Sequence, residues 1–428
     1  MFIRIIERIF LSVLFLFLMG VVTVLLYGDN NTDSLLALQG SLHLPIVIIQ
    51  LSLSAIAVCL ISMRWRRVVS ASIRAWPLLI LAGIQILSIA WSINPGLSAR
   101  RVLLELVMLF IGIYLGERYS TDTLARLLAR ILCQTMVLIA ILYVVAPRFV
   151  LDADQHNALK GLSQNKNGFG FYIGLTVALL LVIRFRRFDW LRYLFLPAAI
   201  AMLLLSRSMT SVGSAFLILA TLPLWLVVRL SARQRAANYT VLGIGVATCG
   251  SLFALFLSQI LALVGKDTTL TGRTEVWKQL VVAIGHRPLL GYGYGAFWTG
   301  LSGESLDVFI NAGWFAPSAH NAYLELWLGL GIPGLCIVAI IFWYAFRMAV
   351  EYIRTEPGWA GLWPVACILF ILVHGGGESE FIYDSSFACC LFTALYTSLA
   401  LRTVRERRSP ARNRFQNQGA LSTEFVAG

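Results

Sequence analysis

The chain has 428 residues, 59% of them hydrophobic and 13% charged, with a mean hydropathy of +0.80; a soluble domain is nearer half apolar and a quarter charged. That balance excludes an ordinary soluble globular domain and places the sequence in the membrane class. The net charge of +13 suggests nucleic acid only until the positions of the charges are read.

Arg4 and Arg8 precede an apolar run at 9–27 that is longer than the apolar region of a secretory signal. Tyr27-Gly28-Asp29-Asn30 offers no cleavage pattern, so the run reads as a retained first helix. A bilayer core takes roughly 20 mostly apolar residues per helix. On that template the spans are 9–27, 44–63, 76–92, 101–116, 128–146, 168–184, 190–206, 211–229, 239–264, 322–346, 361–374 and 385–401. The expected architecture is an all-α polytopic membrane protein of about twelve helices, with a long hydrophilic loop, 265–320, between the ninth and tenth. The expected organisation is one transmembrane unit, 1–401, and a basic, disordered cytoplasmic tail, 402–428. All seven cysteines fall in apolar segments, where thiols behave as small hydrophobes.

The basic residues test this map by the positive-inside rule. With the N-terminus inside, one face holds 24 of the 34, among them Arg64, Arg66, Arg67, Arg118, Arg126 and six from Arg402 to Arg414. The other face holds ten: Arg100, Arg101, Arg148, Lys160, Lys166, Arg207, Lys266, Arg273, Lys278 and Arg287. The alternation predicts an even number of spans with both termini cytoplasmic. The basic charge is then topogenic, attracted to anionic lipid, and no nucleic-acid partner is expected.

The outer cations need another reason. Arg100 and Arg101 open the predicted fourth helix, where the macrodipole prefers an anion; contact with lipid headgroups and contact with a ligand both stand for them. Arg207 sits in the tight turn between the seventh and eighth spans, and Arg273 at the start of a short helix, 274–284. Both read as anion ligands, since arginine suits bidentate phosphate recognition. The apolar stripe within 275–284 suits a helix lying along the interface. Gly291-Tyr292-Gly293-Tyr294-Gly295-Ala296-Phe297-Trp298 is no dinucleotide fingerprint, lacking a preceding strand. Its aromatics suit an interfacial belt, or stacking on sugar faces.

His320, in Ser318-Ala319-His320-Asn321, stands at the outer mouth of the tenth span, where an imidazole can serve as general base or simply bond the helix start. Glu325 lies inside that span, where a carboxylate must pair or function, and its spacing does not put it on the helix face of His320. His374 and Glu378 form a second outer pair, too sparse for a metal site; no metal or other cofactor is expected.

Four stretches together resemble the O-antigen ligase and polymerase superfamily of bacterial envelope biogenesis. They are Leu87-Ser88-Ile89-Ala90-Trp91-Ser92-Ile93-Asn94-Pro95; Asn165-Lys166-Asn167-Gly168; Gly272-Arg273-Thr274-Glu275-Val276-Trp277 with Pro288-Leu289-Leu290-Gly291-Tyr292-Gly293; and His320-Asn321 followed by Gly331 and Gly334. The resemblance implies a GT-C-type glycosyltransferase of the inner membrane. Such an enzyme passes a glycan from undecaprenyl pyrophosphate to an acceptor hydroxyl at the periplasmic face, by metal-independent inversion. It assigns the base to His320 and a pyrophosphate contact to Arg273; Arg207 is taken as the second arginine by its place in the turn, and Arg100, Arg101, Asn321, Glu325 and Glu378 are candidate supporting residues. In the ligases the second arginine is often followed four positions on by Leu, where this chain has Ser211. The loop wording favours an exopolysaccharide or O-antigen polymerase; a ligase attaching glycan to lipid A-core is the nearest alternative. Envelope polysaccharide assembly proteins are expected partners. A lipid-linked oligosaccharide flippase is the rival from another class, though the halves show no internal repeat and midplane charges are scarce. A non-catalytic assembly partner is a third reading.

Overall fold

A computed structural model describes residues 2–27, 44–155, 157–183, 185, 189–218, 227–228, 272–299, 302–313, 316, 318–356, 358–379 and 386–402. The helices in chain order are α1 (Phe2–Leu18), α2 (Val21–Tyr27), α3 (Leu44–Ser62), α4 (Trp65–Arg74), α5 (Trp76–Ser88), α6 (Pro95–Arg118) and α7 (Thr121–Val145). They continue with α8 (Lys166–Val182), α9 (Leu191–Leu205), α10 (Met209–Ile218), α11 (Arg273–His286), α12 (Gly303–Ala312), α13 (Ala322–Thr355) and α14 (Trp363–Gly375), then α15 (Phe387–Arg402). A two-residue antiparallel ladder, Leu151–Asp152 with Ala158–Leu159, interrupts the α7–α8 connection.

Helices α3, α7 and α13 are each long and apolar enough to cross a membrane, and α8, α9, α14 and α15 are shorter apolar helices. The predicted ninth span, 239–264, and residues 219–226 and 229 of the eighth lie outside the described residues. Helix α7 starts seven residues before the predicted 128 and α13 runs nine beyond the predicted 346, and three further differences concern where helices break, bend or start. The first span breaks into α1 and α2 at Gly20, whose φ of +84° is left-handed. The segment 65–74, expected as an inner loop, is the helix α4, bent 89° from α5. Helix α6 begins at Pro95, capped by the Asn94 side chain on Leu97 N at 3.1 Å, so Arg100 and Arg101 stand beyond its first turn rather than opening it. Pro at the first helical position is preorganised for that start.

The helices form one core in which α8 packs on α9, α10 and α14, while α13 packs on α5 and α14. Ion pairs tie the arginine-rich end: Arg118 to Glu7, Arg64 to Glu117, Arg126 to Asp122 and Arg402 to Glu356. At the opposite end α11, α12 and the 291–298 loop enclose a second, smaller core. There Val276, Leu280 and Ile284 bury the stripe of α11 against Tyr292, Phe297 and Trp298. The aromatics of the glycine-rich run are neither a lipid belt nor open to sugars: Trp298 stacks on Phe309 at 5.8 Å and Phe297 on Tyr292 at 5.1 Å, edge-on.

This cap is fixed to the bundle by backbone groups. Helix α13 kinks where Gly331 adopts φ +64°, ψ −156°, two residues before Pro333, which has no N–H and cannot continue the helical ladder. The cap loop takes up the backbone groups beside the kink: Tyr292 N donates to Leu328 O at 2.6 Å and Ile332 N to Leu289 O at 3.2 Å. The predicted 87–95 motif holds the loop's other side. Trp91 Nε1 donates to Leu290 O at 2.8 Å and Ile93 N to Tyr292 O at 3.0 Å, and Gly293 sits so close to Ser92 that a Cβ would lie 2.4 Å from its side chain.

A Cβ at Gly331 would fall 2.1 Å from Leu289 O. Gly331→Ala is therefore expected to destabilise the protein by about 2 kcal/mol or more, seen as a lowered unfolding temperature in detergent. Gly285→Ala, with nothing within 4 Å of the added carbon, should leave that temperature unchanged or raise it.

Candidate functional site

The site forms where the cap meets the ends of α10, α13 and α14. Asn321 caps α13, its side chain accepting from Tyr323 N at 3.0 Å and Leu324 N at 3.2 Å. Asn and Asp favour this position because a short acceptor satisfies orphan helix donors. The same residue reaches the segment after α14: Asn321 Nδ2 donates to Gly376 O at 3.2 Å, and Asn321 N to Ser379 Oγ at 3.1 Å. His320, just before the cap, has a left-handed backbone, φ +46°. For a residue bearing a Cβ that conformation is strained, and it persists only where the surroundings impose it.

The surroundings do so on both sides of Ala319. Ala319 N donates to Glu325 Oε1 at 2.6 Å, and Trp277 Nε1 donates to Ala319 O at 2.8 Å. Glu325 also accepts from Trp298 Nε1 at 2.8 Å. The spacing argument that kept Glu325 away from the histidine assumed a continuous helix. Because α13 begins only at Ala322, the chain turns back, and Glu325 anchors the peptide next to His320.

Glu378 joins the parts. It is buried, 4% exposed, and its two oxygens divide their partners. Arg273 Nη2 donates to Oε1 at 2.6 Å, while His320 Nδ1 lies 3.1 Å from Oε2. Arg273 also donates through Nη1 to Gly377 O, and Glu378 N donates to His374 O at 2.9 Å. Burial pushes the Glu378 carboxyl up, but the His320 hydrogen bond and the Arg273 charge outweigh it and hold the group below the usual carboxylate range. Arg273 is the first residue of α11, one residue longer at this end than predicted, after Gly272 in the left-handed region.

The expected pairing of His374 with Glu378 is replaced by a different division. The His374 ring points to the α9–α10 turn, with Nε2 3.1 Å from Ser211 Oγ, and Ser211 Oγ lies 2.9 Å from Ser208 Oγ. Phe171 and Phe370 flank that ring at 5.0 and 5.7 Å. Ser211, which departs from the ligase pattern, is thus the partner of a buried histidine. Arg207, at the head of the turn, is exposed and left-handed, φ +53°. Arg101 Nη1 donates to Gly295 O at 2.5 Å, holding the cap loop, while Arg100 is exposed. Of the predicted residues, His320, Asn321, Arg273 and Glu378 meet directly, Glu325 supports them, and Arg101 works in the cap.

Sequence reasoning passed over Ser379, Trp277 and Trp298, whose roles rest on contacts distant in sequence. It also passed over Glu105, hidden in an apolar run. Glu105 Oε1 accepts from Cys389 Sγ at 2.8 Å beside a cavity of about 40 Å³ lined also by Gln85, Tyr294 and Thr393. Among the described residues no three His, Cys, Asp or Glu side chains are grouped to hold a metal ion.

An apolar multi-helix bundle, with polar groups gathered at the end under a small cap, defines a multi-pass membrane protein with its site at one surface. Residues 162–339, which include Arg273 and His320, match the family model described as O-antigen ligase. It is 32% identical over 184 residues to the exopolysaccharide production protein ExoQ of Rhizobium meliloti, covering 40% of this chain and 41% of that protein. It is also 32% identical over 117 residues to the ComP-specific O-oligosaccharyltransferase of Acinetobacter baylyi, covering 26% of this chain and 20% of that protein. The matches thus span about two fifths and one fifth of these relatives' lengths.

Because folding lowers the Glu378 pKa, that carboxylate stabilises the fold above the unperturbed glutamate value of about 4.3, and the contribution is lost as pH falls through the lowered native value. The unfolding temperature of the wild type is expected to fall more steeply below that pH than that of Glu378→Gln, measured in parallel acid titrations.

Proposed function

We propose that the protein transfers a glycan from undecaprenyl pyrophosphate to an acceptor hydroxyl at the periplasmic face of the bacterial inner membrane, with both termini cytoplasmic. It acts as a metal-independent inverting glycosyltransferase. One observation carries the reading: the Arg273–Glu378–His320 array, in which one buried carboxylate joins a cation to an imidazole.

A carboxylate on Nδ1 favours the tautomer with its proton there, which puts the basic lone pair on Nε2. Asp plays that part toward His in serine hydrolases. Nε2 takes the proton of the acceptor hydroxyl as its oxygen attacks the anomeric carbon from the face opposite the leaving group. The bond from that carbon to the pyrophosphate oxygen breaks, and its electron pair leaves with undecaprenyl pyrophosphate. Arg273 and Arg207 stabilise the developing negative charge, which fixed cations do best where water is scarce. Arg273 approaches the donor already held by Glu378, so its orientation is set before the substrate arrives.

The acceptor we infer is a second lipid-linked repeat unit, making the enzyme an exopolysaccharide or O-antigen polymerase. The relative named for exopolysaccharide production supports this reading. The ligase reading, with lipid A-core as acceptor, is favoured instead by the family description and the relative named as an oligosaccharyltransferase. The transmembrane unit is taken as 1–401; residues 403–428 of the basic tail lie outside the described residues.

His320→Ala, reconstituted with an undecaprenyl-pyrophosphate-linked oligosaccharide, is expected to lose about 10²–10⁴ in transfer rate while keeping its unfolding transition; a folded variant with the normal rate overturns the mechanism. Deleting the protein separates the acceptors. A polymerase leaves single-repeat products, whereas a ligase leaves long chains on the lipid carrier and bare core.

A further inference from the structure

The sequence singled out Asn165-Lys166-Asn167-Gly168, and nothing above uses its lysine. Asn165 caps α8, accepting from Asn167 N at 3.0 Å and Gly168 N at 2.8 Å, and this cap fixes Lys166 as the first residue of the helix. The motif therefore explains its asparagine structurally and leaves a half-buried ammonium at the outer end of the bundle.

Close packing carries that ammonium toward the site. One turn along α8, Gly170 lies against the α9–α10 turn so tightly that a Cβ would stand 2.4 Å from Ser211 Oγ and 2.8 Å from Ser208 Cβ. Ser208 follows Arg207 directly. Thr210 of the same turn packs on Gly377, where a Cβ would lie 2.7 Å from the threonine methyl, and Gly377 O holds Arg273. Three cations from three separate elements thus surround one seam: Lys166 on α8, Arg207 on the turn and Arg273 on α11. The charges of Asp152, Arg207, Arg273 and Glu378 all bear on the lysine.

Asp152 and Glu378 both attract the lysine, against the repulsion of Arg207 and Arg273. Glu378 is engaged by Arg273 and His320, and Lys166 Nζ donates to a neutral acceptor, Gln155 Oε1, at 2.7 Å. Holding like charges near one another at a partly dry surface costs free energy unless an anion joins them. Lysine also suits phosphate as a mobile point charge, where arginine supplies a fixed fork.

We propose that Lys166 is a third phosphate-binding residue, contacting the diphosphate of the donor together with Arg207 and Arg273. This rests on the polyprenyl-pyrophosphate reading above. The chemistry it recognises is a phosphate ester at the membrane surface, which a phospholipid headgroup also presents, and the proposal commits to the diphosphate.

The test measures binding of farnesyl pyrophosphate to the full chain in nanodiscs of phosphatidylcholine, with farnesol as the neutral control. Lys166→Gln is expected to weaken binding about tenfold, the scale of one lost charge-assisted contact, and Lys166→Arg to restore it to within about threefold. The unfolding temperature of each variant shows whether it is folded. If Lys166→Gln binds as the wild type does while Arg273→Gln binds less, the lysine is not in the site and the donor reading stands. If the wild type binds farnesyl pyrophosphate no better than farnesol, the donor reading itself fails. Loss of binding when phosphatidylglycerol replaces a quarter of the lipid overturns the proposal in favour of leaflet headgroups.

Discussion

A carboxylate taken out of water must be paired on every side or it destabilises the fold that buries it, and Glu378 makes that requirement the organising constraint of the capped end of the bundle. Its carboxylate partners come from α11 and from the residue before the α13 cap, while its own N–H donates to the His374 carbonyl near the end of α14. Neither carboxylate partner can shift without leaving a buried charge in an apolar surrounding. The strained backbone of His320 is tolerated because this network, with Glu325 and Trp277, over-determines the local path of the chain.

The same constraint separates the two side chains that the proposed mechanism uses together. Arg273 and His320 touch different oxygens of one carboxylate, which fixes the two side chains relative to each other. His374, buried among phenylalanine rings, performs the analogous service for the turn that carries Arg207, through Ser211. The cap adds stiffness: its aromatic residues make a core of their own, hydrogen-bonded to α13 on one side and to the 91–93 segment on the other.

Much of this was legible in the sequence. Hydropathy located most of the described helices, and the motif residues His320 and Arg273 come together through Glu378. What failed did so for physical reasons. Glu378 was paired with His374 because they are four residues apart, but its partner lies 58 residues away, and spacing carries no information about tertiary contact. The aromatic run was assigned to lipid or sugar because rings gain from burial in any apolar setting; a small protein core satisfies them equally. The start of α6 was set too late because a hydropathy window outweighed a clear Asn-Pro start signal. Glu105 was missed because one carboxylate barely changes the average of an apolar segment.

The arginines at the opposite end have a double life in time. While the chain is being inserted, orientation responds to Arg and Lys, and acidic residues near them contribute little. Once the helices have packed, Arg64, Arg118, Arg126 and Arg402 are each held by a carboxylate, three of them from another helix or connection. On the proposed topology, the carboxylates can therefore fasten helices together without erasing the orientation signal carried by the arginines. Biogenesis and finished architecture draw on the same residues, one after the other, and the order of events keeps the two uses from competing.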